Sequence, residues 1–158
     1  GRLYSYMNYG ITPDIVTTAK GLGGGLPIGA TLLSKKVENI FEFGDHGSTF
    51  GGNPVCCAGA YNVISRLDEE FLSEVTRKGK MLVGALSGSP GIEDITGMGL
   101  MLGLKTKRVA ADVIKQCIND GVLCLSAKDR VRLLPPLNTP DSLLLRAAEI
   151  IKNACKGE

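Results

Sequence analysis

One lysine stands where a side-chain amine could do covalent chemistry. Lys20 follows the β-branched run DIVTT at residues 14–18 and precedes glycines at positions 21, 23, 24 and 25. No carboxylate occurs between Ile15 and Leu33, so no acidic neighbour in this stretch holds the ammonium form. A nucleophilic amine must be unprotonated and close to its electrophile. The glycines leave space beside it for a ring or a phosphate, and the pattern predicts a lysine used covalently.

Other interpretations of this segment must be weighed. A Walker A loop places its lysine after the glycines, whereas here the lysine comes first, and GLGGG lacks the GxGxxG spacing of a dinucleotide site. Considered alone, the tripeptide AKG favours a solvated lysine at a strand end, with glycines that only build a turn, over a lysine that reacts covalently. The decision between chemistry and structure therefore depends on the longer context.

A second motif, HGSTFGG at residues 46–52, places two hydroxyls beside glycines. Ser48 and Thr49 could donate hydrogen bonds to an anionic oxygen while the backbone N–H groups stay accessible. A polar turn without a ligand is the structural alternative. His46 is the only histidine, and no carboxylate, nucleophile or metal-ligand partner is apparent for it. We therefore assign His46 a loop-orienting hydrogen bond, and no catalytic or metal role.

Short strands and loops must position these side chains. Residues 14–18 predict a short buried strand that ends just before Lys20. Residues 30–33 predict a second strand, and Ser34 could cap a helix over residues 34–41. The composition of residues 46–54 is typical of a loop.

The remaining pattern predicts helices alternating with strands. Residues 54–86 show helical spacing, with a break or restart at the acidic residues 68–70. Turn residues then separate six further elements. These are two strand pieces around Gly97 and Gly99, a helix over 109–119, strands at 122–126 and 131–137, and an amphipathic helix from 140 to about 155.

Composition restricts the functional classes. The 158 residues are 44% apolar and 22% charged, and 18 basic residues are dispersed among 16 acidic ones. No basic patch predicts nucleic acid or an anionic membrane as a partner, and no apolar stretch approaches the roughly 18 residues of a membrane helix. Five cysteines without CxxC spacing predict a reducing, cytoplasmic environment. The chain shows no signal-peptide pattern, and its opening predicts a fragment of a longer protein.

The two motifs together carry a resemblance. The segment TPDIVTTAKGLGGGLPIGA, followed after a short interval by HGSTFGGNPVCCAGA, resembles the class III pyridoxal-phosphate (PLP) aminotransferases, and within them the acetylornithine and ornithine branch. The match runs from about Leu3 to the last helix. It implies an α/β chain of the PLP-dependent transferase fold type I. Residues 1–73 would end the large PLP-binding domain, and residues 74–158 would form the small C-terminal α/β domain.

The resemblance also implies roles for individual residues. Lys20 matches the lysine that forms a Schiff base with PLP, is displaced by the substrate amine and then moves a proton between substrate and cofactor. Thr49 matches a contact to the cofactor phosphate of the neighbouring subunit, and Ser48 matches a residue at the substrate, so the implied active unit is a homodimer. No metal is implied.

The small domain contributes one further candidate. Arg132 precedes the double proline of VRLLPPL at the spacing seen in the family, where this arginine can engage a substrate carboxylate. A guanidinium suits bidentate carboxylate binding, although an ordinary surface ion pair is the alternative. Arg130 is a weaker candidate for the same task. Many members of the family carry an arginine at the position of Thr96. A role that depends on that arginine is therefore in doubt for this chain.

The implied activity is transamination of N-acetylornithine with 2-oxoglutarate, a step of arginine biosynthesis. Family residues that bind the phosphate, stack on the ring, hold the substrate carboxylate and protonate the pyridine nitrogen have no counterpart here, so we expect the chain to be inactive by itself. The alternatives are another class III transaminase, acting on ornithine, succinylornithine or 4-aminobutyrate, and a non-catalytic module that binds a partner or only dimerises.

Overall fold

A computed structural model describes residues 1–157. The chain divides into two compact units, one from Arg2 to Leu72 and the other from Ser73 onward. The mixed α/β fold that the sequence predicts is confirmed. None of the helices within residues 1–157 has the length and apolar character that a membrane crossing requires.

The first unit contains a two-stranded antiparallel sheet. Strands β1 (Ile15–Thr18) and β2 (Ala30–Leu33) pair so that Ile15 lies opposite Leu33. Both strands occur where the sequence predicts them. The predicted burial of β1 is wrong, because Ile15 keeps 53% of its surface exposed. Consecutive β-branched residues favour extended backbone. Burial requires a second layer, which two strands of four residues do not supply.

Helix α1 (Pro54–Ser65) follows the second motif and packs on the glycine segment. Asn53 caps it, since its side chain accepts hydrogen bonds from the N–H groups of Val55 (3.0 Å) and Cys56 (3.2 Å). A Cβ at Gly59 would lie 2.7 Å from Leu26 Cδ1 and 3.1 Å from the carbonyl oxygen of Gly23. Helix α1 therefore supports the loop that follows Lys20.

The helix expected over residues 34–41 does not form. The N–H of Val37 bonds to Ser34 O and that of Ile40 to Val37 O, so the segment is a series of four-residue turns. The Ser34 hydroxyl donates to Asp14 Oδ1 at 3.0 Å while accepting from the N–H of Lys36. Ser34 thus ties the segment to the chain before β1, and no helical i→i−4 ladder follows it.

The long helical pattern resolves into α1 and a second helix, α2 (Glu69–Leu86). The expected break is confirmed. Asp68 causes the restart, because its Oδ1 accepts a hydrogen bond from the N–H of Phe71 at 2.8 Å.

The second unit is a four-stranded antiparallel sheet with helices packed on it. Its sheet order is β3-β4-β6-β5. The elements are β3 (Ile92–Met98), β4 (Met101–Thr106), α3 (Ala110–Asn119), β5 (Leu125–Ala127), β6 (Arg130–Leu133) and α4 (Asp141–Lys156). All are predicted by the sequence, although β5 and β6 are shorter than expected. Proline lacks the N–H that a ladder needs, which agrees with β6 ending before Pro135.

The core of the second unit lies between one face of the sheet and the helices. Its largest fully buried side chains include Leu86, Leu104, Val131 and Ile151. In β6, Val131 and Leu133 are buried while the alternate residues Arg130 and Arg132 lie on the other face. The second face of this sheet is therefore the polar one.

A predicted pH effect arises where α2 meets the start of α4. Arg77 binds Glu74 at 2.9 Å and Asp141 at 2.8 Å, and it lowers the pKa of both carboxyl groups from ordinary values of 4.5 and 3.8. Carboxyls with lowered pKa stabilise the fold above those values and lose this contribution as the pH falls. We expect Arg77→Gln to reduce the free energy of unfolding at pH 7.

The measurement is urea unfolding of the wild type and Arg77→Gln at pH 7 and pH 3. The difference between the two proteins should shrink at pH 3, because the stabilisation from the two carboxylates is lost progressively as the pH falls below their ordinary pKa values of 4.5 and 3.8. A difference that is the same at both pH values would show that the ion pairs contribute nothing.

Cysteine reactivity gives a second prediction. Cys117, Cys124 and Cys155 are buried, whereas Cys57 is exposed. Burial raises the pKa of Cys155 to about 11, and a hydrogen bond to Cys117 raises the pKa of the Cys124 thiol. The same hydrogen bond lowers the pKa of Cys117, but that side chain is 0% exposed. Since a reagent must reach the thiolate, we expect a thiol reagent at pH 7 to label Cys57 rapidly and these three only in urea. Mass spectrometry of labelled peptides reads this out, and rapid native labelling of Cys155 would contradict the packing.

Candidate active site

Lys20 has an unusual backbone conformation. It begins a short 3₁₀ turn (Lys20–Gly23) directly after β1 and Ala19, and its φ is +55°. Among residues 1–157, the other non-glycine residue with positive φ is Lys128 (+57°), in the two-residue connection between β5 and β6, where hairpin turns require it. No hairpin requires it at Lys20. Such strain costs about 1–3 kcal/mol and tends to occur at functional sites.

Open space surrounds the Lys20 amine within its unit. Lys20 is exposed, and no hydrogen bond or ion pair involves its side chain in the part of the chain that the structure describes. A Cβ built on Gly21 would meet nothing within 4 Å. Gly24 and Gly25 follow with φ of +60° and +108°, which turn the chain away from the lysine. The amine is therefore available to a ligand.

The far side of the glycine segment is packed tightly. Gly23 is buried, and a Cβ there would lie 2.8 Å from Ile28 Cγ2. Together with the contact between Gly59 of α1 and Leu26, this fixes the turn that begins at Lys20. The segment is therefore open beside the lysine and closed on the helix side.

The second motif is an exposed loop just before α1. Its backbone makes two tight turns, since the N–H of Gly51 bonds to Ser48 O (3.3 Å) and that of Asn53 bonds to Phe50 O (3.2 Å). Ser48 and Thr49 are exposed, and neither hydroxyl bonds to another residue among those described. No hydrogen bond brings this loop to Lys20. His46 packs edge-on against Phe41, with ring centroids 5.2 Å apart at 75°.

Arg132 lies in the second unit, on the polar face of β6. In the sheet it is opposite Gly103 of β4 on one side and Leu125 of β5 on the other. Its Nε is buried and has no hydrogen-bond partner. A buried guanidinium N–H without an acceptor is costly, so this atom is suited to receive the oxygen of a bound anion.

Sequence reasoning left out the surroundings of Arg132. Arg130 NH2 binds Asp94 Oδ2 of β3 at 2.8 Å, and its NH1 donates to the carbonyl oxygen of Gly103 at 3.3 Å. The sequence shows both arginines, but Asp94 lies 36 residues from Arg130. Only the strand register brings them together.

The residues present fit PLP as a ligand. An available amine suits its aldehyde, and the free hydroxyls of Ser48 and Thr49 suit the oxygens of a phosphate or carboxylate. The orphaned Nε of Arg132 suits a carboxylate. The donors of the first unit therefore agree with a cofactor that carries an aldehyde and a phosphate. Arg132, in the second unit, agrees separately with the carboxylate of an amino acid.

Comparison with known proteins gives consistent matches. The family model for class III aminotransferases matches residues 1–155. An acetylornithine aminotransferase of Haemophilus ducreyi is 48% identical over 153 residues, covering 96% of this chain and 39% of that protein. Another, from Corynebacterium efficiens, is 44% identical over 146 residues, covering 89% of this chain and 36% of that protein.

Solved structures agree with these sequence matches. The ornithine aminotransferase of Toxoplasma gondii, described with partial occupancy of PLP at its active site, superposes with a TM-score of 0.87 at 30% identity. The match covers 99% of this chain and 40% of that one. The chain thus spans about two fifths of the length of the relatives it matches.

Proposed function

Because the chain belongs to the class III aminotransferase family, whose members depend on PLP, we propose that it forms the lysine-bearing part of an acetylornithine-type aminotransferase. The reaction is transfer of the amino group of N-acetylornithine to 2-oxoglutarate, giving N-acetylglutamate semialdehyde and glutamate in arginine biosynthesis. The observation that carries the proposal is Lys20, an exposed amine without a partner on a left-handed backbone at the end of β1.

The proposed site residues divide cofactor binding, substrate binding and proton transfer among them. When bound, PLP supplies the conjugated ring that delocalises the electron pair left by the departing proton. Lys20 would hold the cofactor through Nζ until the substrate amine displaces it, and the freed Nζ would then accept the proton from the substrate Cα. Thr49 donates its hydroxyl to the cofactor phosphate, and Ser48 donates to the substrate. Arg132 binds the substrate carboxylate through its guanidinium.

The open surfaces of the first unit support the assembly we propose, a cytoplasmic homodimer. Apolar side chains such as Phe43, Phe50 and Tyr61 keep 108%, 82% and 77% of their surface exposed. Large exposed apolar side chains in one region are typical of interaction surfaces. Thr49 lies in the same loop as Phe50, so a neighbouring subunit bound there would bring its cofactor to that hydroxyl.

Two alternatives remain as proposals. The structural likeness to ornithine aminotransferases favours ornithine as a second candidate amino donor, beside succinylornithine and 4-aminobutyrate. Exposure of the sheet and loops of the first unit favours a non-catalytic or dimerising role for these residues when they are alone.

A chimera tests the proposal. This chain would replace the matching 39% of the Haemophilus ducreyi acetylornithine aminotransferase, so that the relative supplies the remainder. We expect the chimera to form glutamate from N-acetylornithine and 2-oxoglutarate. The rate of glutamate formation is compared with the rates obtained when ornithine, succinylornithine or 4-aminobutyrate is the amino donor.

The matched control is the same chimera with Lys20→Ala, which should bind PLP without transferring the amino group. A folded wild-type chimera that binds PLP and transfers no amino group from any of the four donors would refute the enzymatic assignment of this chain.

A further inference from the structure

The second unit contains a cavity of about 580 Å³, whose lining does not include Arg132. It opens between helix α4, the proline segment after β6 and the connection from α3 to β5. Its volume lies within the range of small-molecule sites, about 300–1,000 Å³. Leu82, Leu133 and Ile151 form its floor and keep at most 6% of their surface exposed. The floor therefore suits an apolar group, whose burial is favourable.

Two walls of the cavity are held by short hydrogen bonds. In the proline segment, the hydroxyl and the N–H of Thr139 both bond to Pro136 O, at 2.7 and 3.0 Å. In the connection from α3 to β5, the N–H of Val122 bonds to Cys117 O at 2.7 Å. Proline also fixes φ in the first of these walls. The cavity is therefore formed by restrained backbone, and a ligand would not have to order a loose loop.

Two opposite charges line the cavity without partners. Asp120 follows the last turn of α3 and Arg146 lies in α4, and both residues are exposed. Within residues 1–157, neither side chain forms an ion pair or a hydrogen bond, and the two do not pair with each other. By contrast, Glu149 of α4 is paired with Lys152 at 2.5 Å. The cavity thus offers one free carboxylate and one free guanidinium beside an apolar floor.

This combination of groups is complementary to a zwitterion with an apolar side chain. A fatty acid would place its carboxylate near Asp120, and an apolar amine would place its ammonium near Arg146, so each would meet a like charge as well as an opposite one. An α-amino acid carries its ammonium on the carbon next to its carboxylate and can satisfy both side chains at once.

We propose that this cavity is a binding site for a free α-amino acid with a large apolar side chain. Arg146 binds its carboxylate, Asp120 binds its ammonium group, and the apolar floor receives its side chain. The inference does not depend on the roles proposed for Lys20 and Arg132.

The test compares L-phenylalanine with two analogues that each lack one charged end, 3-phenylpropanoate and 2-phenylethylamine. Dissociation constants come from ¹H–¹⁵N NMR titrations of the complete 158-residue chain. We expect phenylalanine to bind about threefold to fivefold more tightly than either analogue, the scale of one exposed ion pair. The amide signals of Val122 and Leu123 should shift. Equal affinity for the three ligands, or no shift at the cavity, overturns the inference.

Substitution of each charge assigns it to one end of the ligand. Arg146→Gln should weaken phenylalanine and 3-phenylpropanoate about threefold to fivefold and leave 2-phenylethylamine no weaker. Asp120→Asn should weaken phenylalanine and 2-phenylethylamine to the same extent and leave 3-phenylpropanoate no weaker. The matched control is Asp112→Asn, the same change at an exposed residue of α3 outside the cavity, which should affect none of them. Equal weakening of all three ligands by both cavity variants contradicts the proposed assignment.

Filling the cavity tests the apolar floor. Ala147 lines the cavity from α4, and Ala147→Phe should abolish phenylalanine binding, whereas binding that persists in this variant overturns the inference. In the chimera, which carries the upstream residues of the relative, phenylalanine should still bind in saturation-transfer NMR. Binding to the 158-residue chain that is lost in the chimera would show that a protein segment occupies the cavity, and this result also refutes an amino-acid site.

Discussion

Replacing Lys20 with alanine should abolish the covalent attachment of PLP to this chain. The reason is that Lys20 combines an available amine with open space at Gly21. Lys128, the other described lysine with positive φ, follows β5 into a hairpin turn that has no neighbouring glycine. The measurement is borohydride reduction in the presence of PLP, followed by peptide mapping. In the chimera, the same substitution should lower the rate of amino transfer by at least about 10²–10⁴-fold, the usual contribution of a positioned proton-transfer group.

The matched control is Lys35→Ala, which removes the same charge from an exposed lysine just after β2. It should leave the labelled peptide unchanged. Label scattered equally over surface lysines in the wild type and both variants would mean that this chain does not form the lysine site by itself. Adduct retained at wild-type level in Lys20→Ala would assign the covalent role to another lysine.

Replacing Gly79 with alanine should destabilise the second unit strongly. Gly79 lies on the face of α2 against the turn between β3 and β4, where a Cβ would be 2.5 Å from Gly99 O and 2.7 Å from Gly99 C. Both contacts are to backbone, so no side chain can move aside, and either α2 or the turn must shift. We expect a loss of about 1–3 kcal/mol in the free energy of unfolding, measured by urea denaturation.

Gly84→Ala is the control, five residues further along α2. A Cβ at Gly84 meets nothing within 4 Å, so this substitution should stabilise the protein by about 0.5–1 kcal/mol through helix propensity alone. The two substitutions are chemically identical and should act in opposite directions. Equal effects at both positions would contradict the packing of α2 on the turn.

The sequence predicted most of the elements because their signals are local. Asn53 and Pro54 mark the start of α1, and the acidic residues 68–70 mark the break before α2. Pro140 and Asp141 mark the start of α4. A capping side chain bonds to the first N–H groups of a helix, and proline fixes φ. Both effects are independent of the rest of the chain, so these helix starts can be predicted from the sequence alone.

Expectations failed where the outcome depended on distant residues. Ser34 resembled a helix cap, but its hydroxyl donates to Asp14, twenty positions earlier, and the segment became a series of turns. The β-branched run of β1 resembled a buried strand and is largely exposed. A capping residue and a β-branched run indicate which local backbone conformation is preferred. Whether the residues become buried depends on which other elements pack against them.

Residue type and order along the chain determined the family and the candidate chemistry: a lysine before glycines, a hydroxyl pair between glycines, and an arginine before two prolines. Those patterns identify the family because the chemistry requires particular groups at particular spacings. Tertiary structure decided the left-handed backbone of Lys20, the unpaired Nε of Arg132 and the reach of Arg130 over Gly103 to Asp94. These depend on strand register and helix packing, which join residues far apart in sequence and leave no signal in local spacing.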